Sequence, residues 1–245
     1  MGSREVPQRA AGADLGSWLR DAPILRLERM PWGSNAVFQA RLDGPYGELL
    51  AVYKPARGER PLWDFPPGTL HRREVATSVV DRALGWQFTP TTVLRHEAPF
   101  GVGSIQEFIP DPPSDLQLNG DQMASSLRGL AALDVLINNA DRKQAHLLVD
   151  PEGSLRGIDH GVTFHTEFKL RTALLELGGT PVPEPWLSGV AALLGDEGRL
   201  AALRHSLAEL LRAAEIRAFE GRARNLVERG SYPELHEWYG RPFEW

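Results

Sequence analysis

Apolar positions alternate with polar ones, or cluster in short runs, over Ile24 to Met30, Val37 to Leu42 and Leu49 to Lys54. The turn-forming stretches Pro31-Trp32-Gly33-Ser34-Asn35 and Asp43-Gly44-Pro45-Tyr46-Gly47 separate them. Short runs of this kind bounded by Gly, Pro and Asn are the signature of strands, so the three segments read as an antiparallel set. Pro55 to Gly68 holds four prolines and two glycines and reads as a loop, long enough to suggest a function or an insertion. The period then changes: Val75, Val79 and Ala83 recur at i, i+4 across Leu70 to Leu84, and Gly85 is placed to end a helix. Thr91 to Leu94 and Val102 to Phe108 return to strand character around a turn at Glu97 to Gly101.

The character shifts at Pro110-Asp111-Pro112-Pro113, because consecutive prolines fit neither a helix interior nor a central strand. Met123 to Ile137 is a strongly apolar helical segment, followed by a polar loop from Asn138 to Ala145. A hairpin is predicted next, from His146 to Val149, through Asp150-Pro151-Glu152-Gly153, to Leu155 to Ile158. Beyond Asp159 the pattern predicts helices over Phe168 to Leu177, Pro185 to Leu194 and Arg199 to about Val227. Strands in the first half and helices in the second predict an α+β fold rather than an alternating parallel sheet. The expected organisation is a loose tail over residues 1–20, a β-rich N-lobe with one helix over 21–110, and a helical C-lobe over 111–245.

Composition narrows the chemistry. With 245 residues, 42% of them hydrophobic, the chain can bury one large core or two smaller ones. No apolar run reaches the roughly 18 positions of a membrane span, and no signal pattern opens the chain, so a soluble, cytoplasmic protein is expected. The absence of cysteine excludes disulfides, thiolate zinc sites and a cysteine nucleophile. A net charge of -5 without a basic stripe argues against nucleic acid and anionic membrane as partners. Most of the tryptophans, and the C-terminal Trp238, Tyr239, Phe243 and Trp245, read as core or docking contacts.

Three groups of residues carry candidate chemistry. Lys54 ends a strand in Ala51-Val52-Tyr53-Lys54-Pro55, and Glu74 lies on the helix that follows. Phosphoryl transfer needs a fixed cation against nucleotide phosphates, and a helix carboxylate can hold such a lysine in place. Asp141 stands in the polar loop Asn138 to His146, directly after the apolar helix, and Asp159 follows in Gly157-Ile158-Asp159-His160-Gly161. Two carboxylates on loops joined by a tight hairpin can set one beside an attacking hydroxyl and the other on Mg²⁺. Lysine, glutamate, aspartate and aspartate in this order form the kinase order.

From about Met30 to Phe164 the chain resembles the phosphatidylinositol 3-/4-kinase-related branch of the protein-kinase-like superfamily, especially its type II phosphatidylinositol 4-kinase-like members and an actinobacterial subset of unassigned substrate. The segment around Lys54 is similar to that family's nucleotide-lysine strand, and Glu74-Val75-Ala76 to the start of its ion-pair helix. Gly103 to Ile109 resembles its hinge, Asp141-Arg142 its catalytic loop, and Ile158-Asp159-His160-Gly161 its metal-binding loop. The resemblance implies a two-lobed atypical kinase fold, with ATP between the lobes and adenine held by the backbone at Glu107 and Ile109. It implies Mg²⁺ or Mn²⁺ on Asp159 and an acceptor hydroxyl oriented by Asp141.

Departures from the family pattern sharpen the expectations. His146 stands five residues after Asp141, where the family has a metal-binding asparagine, and imidazole as ligand favours Mn²⁺. No Gly-x-Gly-x-x-Gly is present, and the candidate phosphate loop is Gly33-Ser34-Asn35-Ala36, with Ser34 and Asn35 as donors. No basic run follows Asp159, which disfavours lipid phosphorylation. The expected function is ATP- and metal-dependent phosphoryl transfer to a protein or small-molecule hydroxyl. Alternatives are transfer of AMP, or a nucleotide-binding pseudokinase that catalyses nothing.

Overall fold

The computed structural model describes residues 15–31, 35–44 and 47–234. Contacts divide the chain into two compact units: residues up to His71 together with Thr91–Phe108, and Arg72–Pro90 together with the chain from Ile109 onward.

The first unit is built on one antiparallel sheet of five strands: β1 (Ile24–Arg29), β2 (Phe38–Gly44), β3 (Gly47–Pro55), β4 (Thr92–Arg95) and β5 (Gly103–Glu107), in the order β1-β2-β3-β5-β4. These are the strands that the alternation predicts. Along β3, Ala51, Tyr53 and Pro55 are buried while Val52 and Lys54 are less so, as strand geometry requires of residues on opposite faces. One face packs Ala40, Leu42, Ala51, Tyr53, Val93 and Ile105 into a core with Leu19.

Leu19 comes from α1 (Leu15–Asp21), a short helix where the sequence predicts a loose tail. Burial of Leu19 stabilises it, and so does Arg95, whose guanidinium donates to the carbonyls of Leu19 at 2.9 Å and Ala22 at 2.7 Å. Those carbonyls lie at or just beyond the helix's C-terminal end, where main-chain acceptors have no intrahelical donor. The rest of the expected tail, residues 1–14, lies outside the described residues, as do Pro45 and Tyr46 of the second turn and the aromatic residues of the C-terminus.

Helix α2 (Leu70–Leu84) has its first turn capped by a side chain from the preceding loop. Glu59 accepts from the backbone of Leu70 at 3.1 Å and His71 at 2.8 Å, and its Oε1 lies 2.6 Å from Nδ1 of His71. Burial pushes the Glu59 carboxyl up, but the bonds from His71 and Leu70 outweigh it and hold the group below its usual range. The sequence assigns α2 to the N-lobe, yet from Arg72 on it clusters with the second unit. Apolar and polar contacts both hold it there: Ala76, Val80 and Leu84 are part of the second unit's core, Arg73 pairs with Glu215 at 2.6 Å, and Arg73 donates to the carbonyl of Thr163 at 2.5 Å.

The second unit is helical, with α3 (Gly120–Ile137), α4 (Glu184–Gly195), α5 (Glu197–Ala208) and α6 (Ala213–Arg229) around a two-stranded hairpin, β6 (Leu147–Val149) and β7 (Leu155–Gly157). From Gly129 to Ile137 every residue of α3 is buried, and its apolar side chains join the core formed by α2, α4, α5 and α6. Asn119 caps its start, accepting from the backbone of Asp121 and Gln122.

Two helix expectations are corrected here. Arg199 to Val227 is two helices, because the chain turns after Leu207, whose carbonyl accepts from the backbone of both Leu210 and Leu211. Phe168 to Leu177 is irregular apart from a bridge between Thr172 and Arg142 and a short 3-10 turn at Leu175–Leu177. Its backbone is taken by the loop after α3: Arg171 donates to the carbonyl of Asn139, Arg142 to that of Arg171, and Ala173 to that of Arg142.

Candidate active site

Two loops of the second unit meet through the hairpin. Leu147 pairs with Gly157, and one step outward the backbone of Ile158 donates to the carbonyl of His146 at 3.0 Å. That register sets His146, before β6, beside Asp159, after β7. Asp150 closes the hairpin turn by accepting from Glu152 and Ser154, and its second oxygen accepts from Arg156 at 2.8 Å.

The loop carrying Asp141 is built on a buried ion pair. Asp134 is the one carboxylate in the buried half of α3, and Arg142 wraps around it, with Nε to Oδ2 and Nη2 to Oδ1 both at 2.9 Å. Side-chain exposure is 0% for Arg142 and 1% for Asp134. Arg142 also donates from Nη1 to the carbonyl of Ile158 at 2.8 Å, and its Nη2 lies 2.6 Å from Nε2 of His160. One side chain therefore ties the Asp141 loop to the Asp159 loop. Asn139 adds a local brace, donating to Asp134 and accepting from the backbone of Asp141.

Asn138 ends α3 in a left-handed conformation, φ 54. Its amide donates to the carbonyls of His165 at 3.0 Å and Glu167 at 2.6 Å, and its oxygen accepts from the backbone of Lys169 at 2.9 Å. Arg222 of α6 donates to the carbonyls of Leu136 and His165, and burial pulls its guanidinium down to about 10.

Within this frame the sequence-predicted residues take definite environments. The side chain of Asp141 is 25% exposed, its Oδ2 pairs with Nζ of Lys143 at 3.0 Å, and its Oδ1 is buried without a hydrogen-bond partner. Burial pushes its carboxyl above the ordinary range, with the like charge of Asp159 adding to the effect and Lys143 and His146 opposing it. Nε2 of His146 lies 3.4 Å from Oδ2 of Asp159, whose side chain is about half exposed. Nδ1 of His146 accepts from the backbone of Lys143 at 3.4 Å, so the neutral ring carries its proton on Nε2, toward Asp159. Burial lowers the imidazole's pKa, which keeps the ring neutral to lower pH.

Glu74 of α2 is 3% exposed, and its Oε2 accepts from the backbone of His160 at 3.0 Å. The sequence suggested a lysine partner for Glu74 and gave no sign of this main-chain bond.

In the first unit, Lys54 lies opposite Ser104 of β5, on the sheet face away from the Leu19 core. Gln106 and Thr92 share a hydrogen bond at 2.8 Å on the neighbouring strands. The backbone of Glu107 donates to the carbonyl of Thr91 at 2.9 Å, so an adenine contact at this residue would fall to its carbonyl. Ile109 follows β5 and begins the second unit's stretch of chain. Asn35 uses its side-chain oxygen to accept from the backbone of Arg60 at 2.7 Å, while Ser34 lies outside the described residues.

A metal can be tested against these groups. Asp141, His146 and Asp159 are near enough to influence one another's ionisation, yet among the described residues no group of three or more side chains is arranged as a ready cage. Such a donor set suits a hard cation that keeps waters and takes the remaining ligands from substrate phosphates.

Several solved structures share the fold. A Golgi casein kinase structure with Mn/ADP bound superposes with a TM-score of 0.58 at 18% identity, covering 86% of this chain and 73% of that one. Hydra Fam20 with sugar gives 0.56 at 16% identity, over 87% of both chains. The Helicobacter pylori proinflammatory kinase CtkA gives 0.52 at 10% identity, over 88% and 94%. The fold is thus an α+β fold of the protein-kinase-like class. The phosphatidylinositol 3- and 4-kinase family matches residues 64–217, and Protein Rv2133c of Mycobacterium tuberculosis is 35% identical over 93% of each chain. The chain belongs to the phosphatidylinositol 3- and 4-kinase family. No helix among the described residues is long and apolar enough to cross a membrane.

Proposed function

We propose that this protein transfers the γ-phosphoryl group of ATP to a hydroxyl on a protein or small molecule, with Mg²⁺ or Mn²⁺ as cofactor. The observation that carries the reading is the meeting of Asp141, His146 and Asp159 through one hairpin, with the Asp141 carboxylate still 25% exposed. The casein kinase neighbour with Mn/ADP bound supports nucleotide and metal as ligands.

Asp141 orients the acceptor hydroxyl with the accessible side of its carboxylate and takes its proton as the acceptor oxygen bonds to phosphorus and the bond to the β–γ bridging oxygen breaks. Its raised pKa suits it to that proton. Asp159 supplies a carboxylate to the metal. His146 would hold the metal through Nε2 in the tautomer with its proton on Nδ1, at the cost of one long contact with the backbone of Lys143. The metal, when bound, neutralises charge on the phosphates. Lys54 is assigned to nucleotide phosphate by its ammonium, and the backbone at Glu107 and Ile109 to adenine.

The test is calorimetric titration of ATP with Mg²⁺ or Mn²⁺ into wild type, Asp159→Asn and Asp141→Asn, paired with transfer from γ-labelled ATP to a library of protein and small-molecule acceptors. Asp159→Asn should lose metal-dependent nucleotide binding, and Asp141→Asn should keep it while losing transfer. Product labelled by α-labelled but not γ-labelled ATP would establish AMP transfer instead. Binding without any transfer would establish a pseudokinase.

A further inference from the structure

Among the described residues, Asp159 is one of four non-glycine residues with positive φ, at 61. L-residues avoid that region because Cβ crowds the following carbonyl, so an aspartate remains there when its neighbours hold it. The peptide units on both sides of Asp159 are held. On the N-terminal side, the carbonyl of Ile158 accepts from Nη1 of Arg142 at 2.8 Å and its N–H donates to the carbonyl of His146 at 3.0 Å. On the C-terminal side, the N–H of His160 donates to Oε2 of Glu74 at 3.0 Å.

Both struts are rooted in the core. Arg142 is fixed by Asp134, and Glu74 follows Arg73, which is anchored to Glu215 and to the carbonyl of Thr163. All of these residues lie in the second unit. We propose that Glu74 is a positioning residue for Asp159: its carboxylate oxygen, as acceptor of the His160 N–H, holds the metal aspartate in its left-handed backbone state. This role deepens the phosphotransfer reading, since it concerns how that reading's metal ligand is aimed.

The proposal separates reach from charge. A counter-ion role depends on negative charge, which Glu74→Asp keeps and Glu74→Gln removes. A main-chain acceptor role depends on an oxygen at full reach, which Glu74→Gln keeps and Glu74→Asp withdraws by one methylene. The amide of His160 can be followed by NMR hydrogen exchange in protein labelled with ¹⁵N-histidine, because the chain has 7 histidines. This measurement needs neither metal nor nucleotide.

Exchange at His160 should speed up about 10-fold or more in Glu74→Asp and stay within about 3-fold of wild type in Glu74→Gln, as local opening follows the loss of a single holding bond. Mn²⁺ affinity in the presence of ADP should follow the same ranking. The reverse ranking, with aspartate protective and glutamine not, overturns the proposal, as does unchanged exchange in both variants. Exchange that follows the expected ranking in a protein that binds no Mn²⁺ or ADP leaves the clamp standing and removes the phosphotransfer reading instead.

Discussion

Replacing Asp134 by alanine should be among the most damaging single changes available to the second unit. The substitution strips Arg142 of its counter-charge while leaving the guanidinium at 0% exposure, and it also orphans the Asn139 amide that donates to Oδ1. Breaking a buried ion pair from one side costs about 3–5 kcal/mol, because the remaining charge is neither hydrated nor paired. In a chain of this size each kcal/mol lowers the melting temperature by about 2–4 °C, so a drop of roughly 6–20 °C is expected. Differential scanning calorimetry of wild type and Asp134→Ala reads it directly. The double variant Asp134→Leu with Arg142→Met should recover most of that loss, since a buried pair replaced by apolar groups is often neutral. It should still fail in phosphoryl transfer, because the carbonyl of Ile158 loses its donor. A melting temperature for Asp134→Ala within about 2 °C of wild type would refute the reasoning, since a buried guanidinium cannot lose its partner at so small a cost.

On the proposed reading, in which Lys54 meets phosphate, Lys54→Ala should weaken ATP binding by about 10-fold or more in titration calorimetry with little change in melting temperature, because Lys54 is not part of the sheet core. Gly129→Ala would push a Cβ to 2.5 Å from Cζ of Phe88 and 2.6 Å from Cε2 of Trp186, so urea unfolding should show about 1–3 kcal/mol of overpacking cost. Glu215 is buried, which raises its pKa, but the backbone of Arg212 and the guanidinium of Arg73 outweigh burial and hold it below the usual value of 4.5. A carboxyl depressed in the folded state stabilises above its unfolded pKa and loses that contribution as pH falls through the folded value. The stability gap between wild type and Glu215→Gln should therefore be complete at pH 7 and shrink below about pH 4.5 in urea titrations at stepped pH.

The strands, α2, α3 and the β6–β7 hairpin were legible because their apolar periods are clean and their turns carry Gly, Pro or Asp. Leu170, Leu174 and Leu177 show how a period misleads: their spacing fits a helix, while Leu170, Thr172 and Leu174 equally fit a strand, as burial at every second residue shows. Pairing with Arg142 decides between the two, and that partner is distant in sequence. The helix at Leu15–Asp21 was missed because its stability comes from Arg95, some 70 residues away, rather than from its own short and glycine-containing sequence. Motif order singled out the loops of Asp141 and Asp159, and the hairpin between them, legible from its turn residues, is what brings those loops together. Nothing local announced Asp134 or the His160 bond of Glu74, although a lone aspartate inside the apolar run Leu130 to Ile137 was a signal for a buried cation.

The bonds of Asn138 bear on control. Segments that are switched by phosphorylation gain their order from the new phosphate, and the free energy of that ordering is what the modification supplies. Here the carbonyls of His165 and Glu167 and the backbone of Lys169 are already gathered by one asparagine, and Arg222 takes the His165 carbonyl as well. A phosphate added near this stretch would find little disorder to remove.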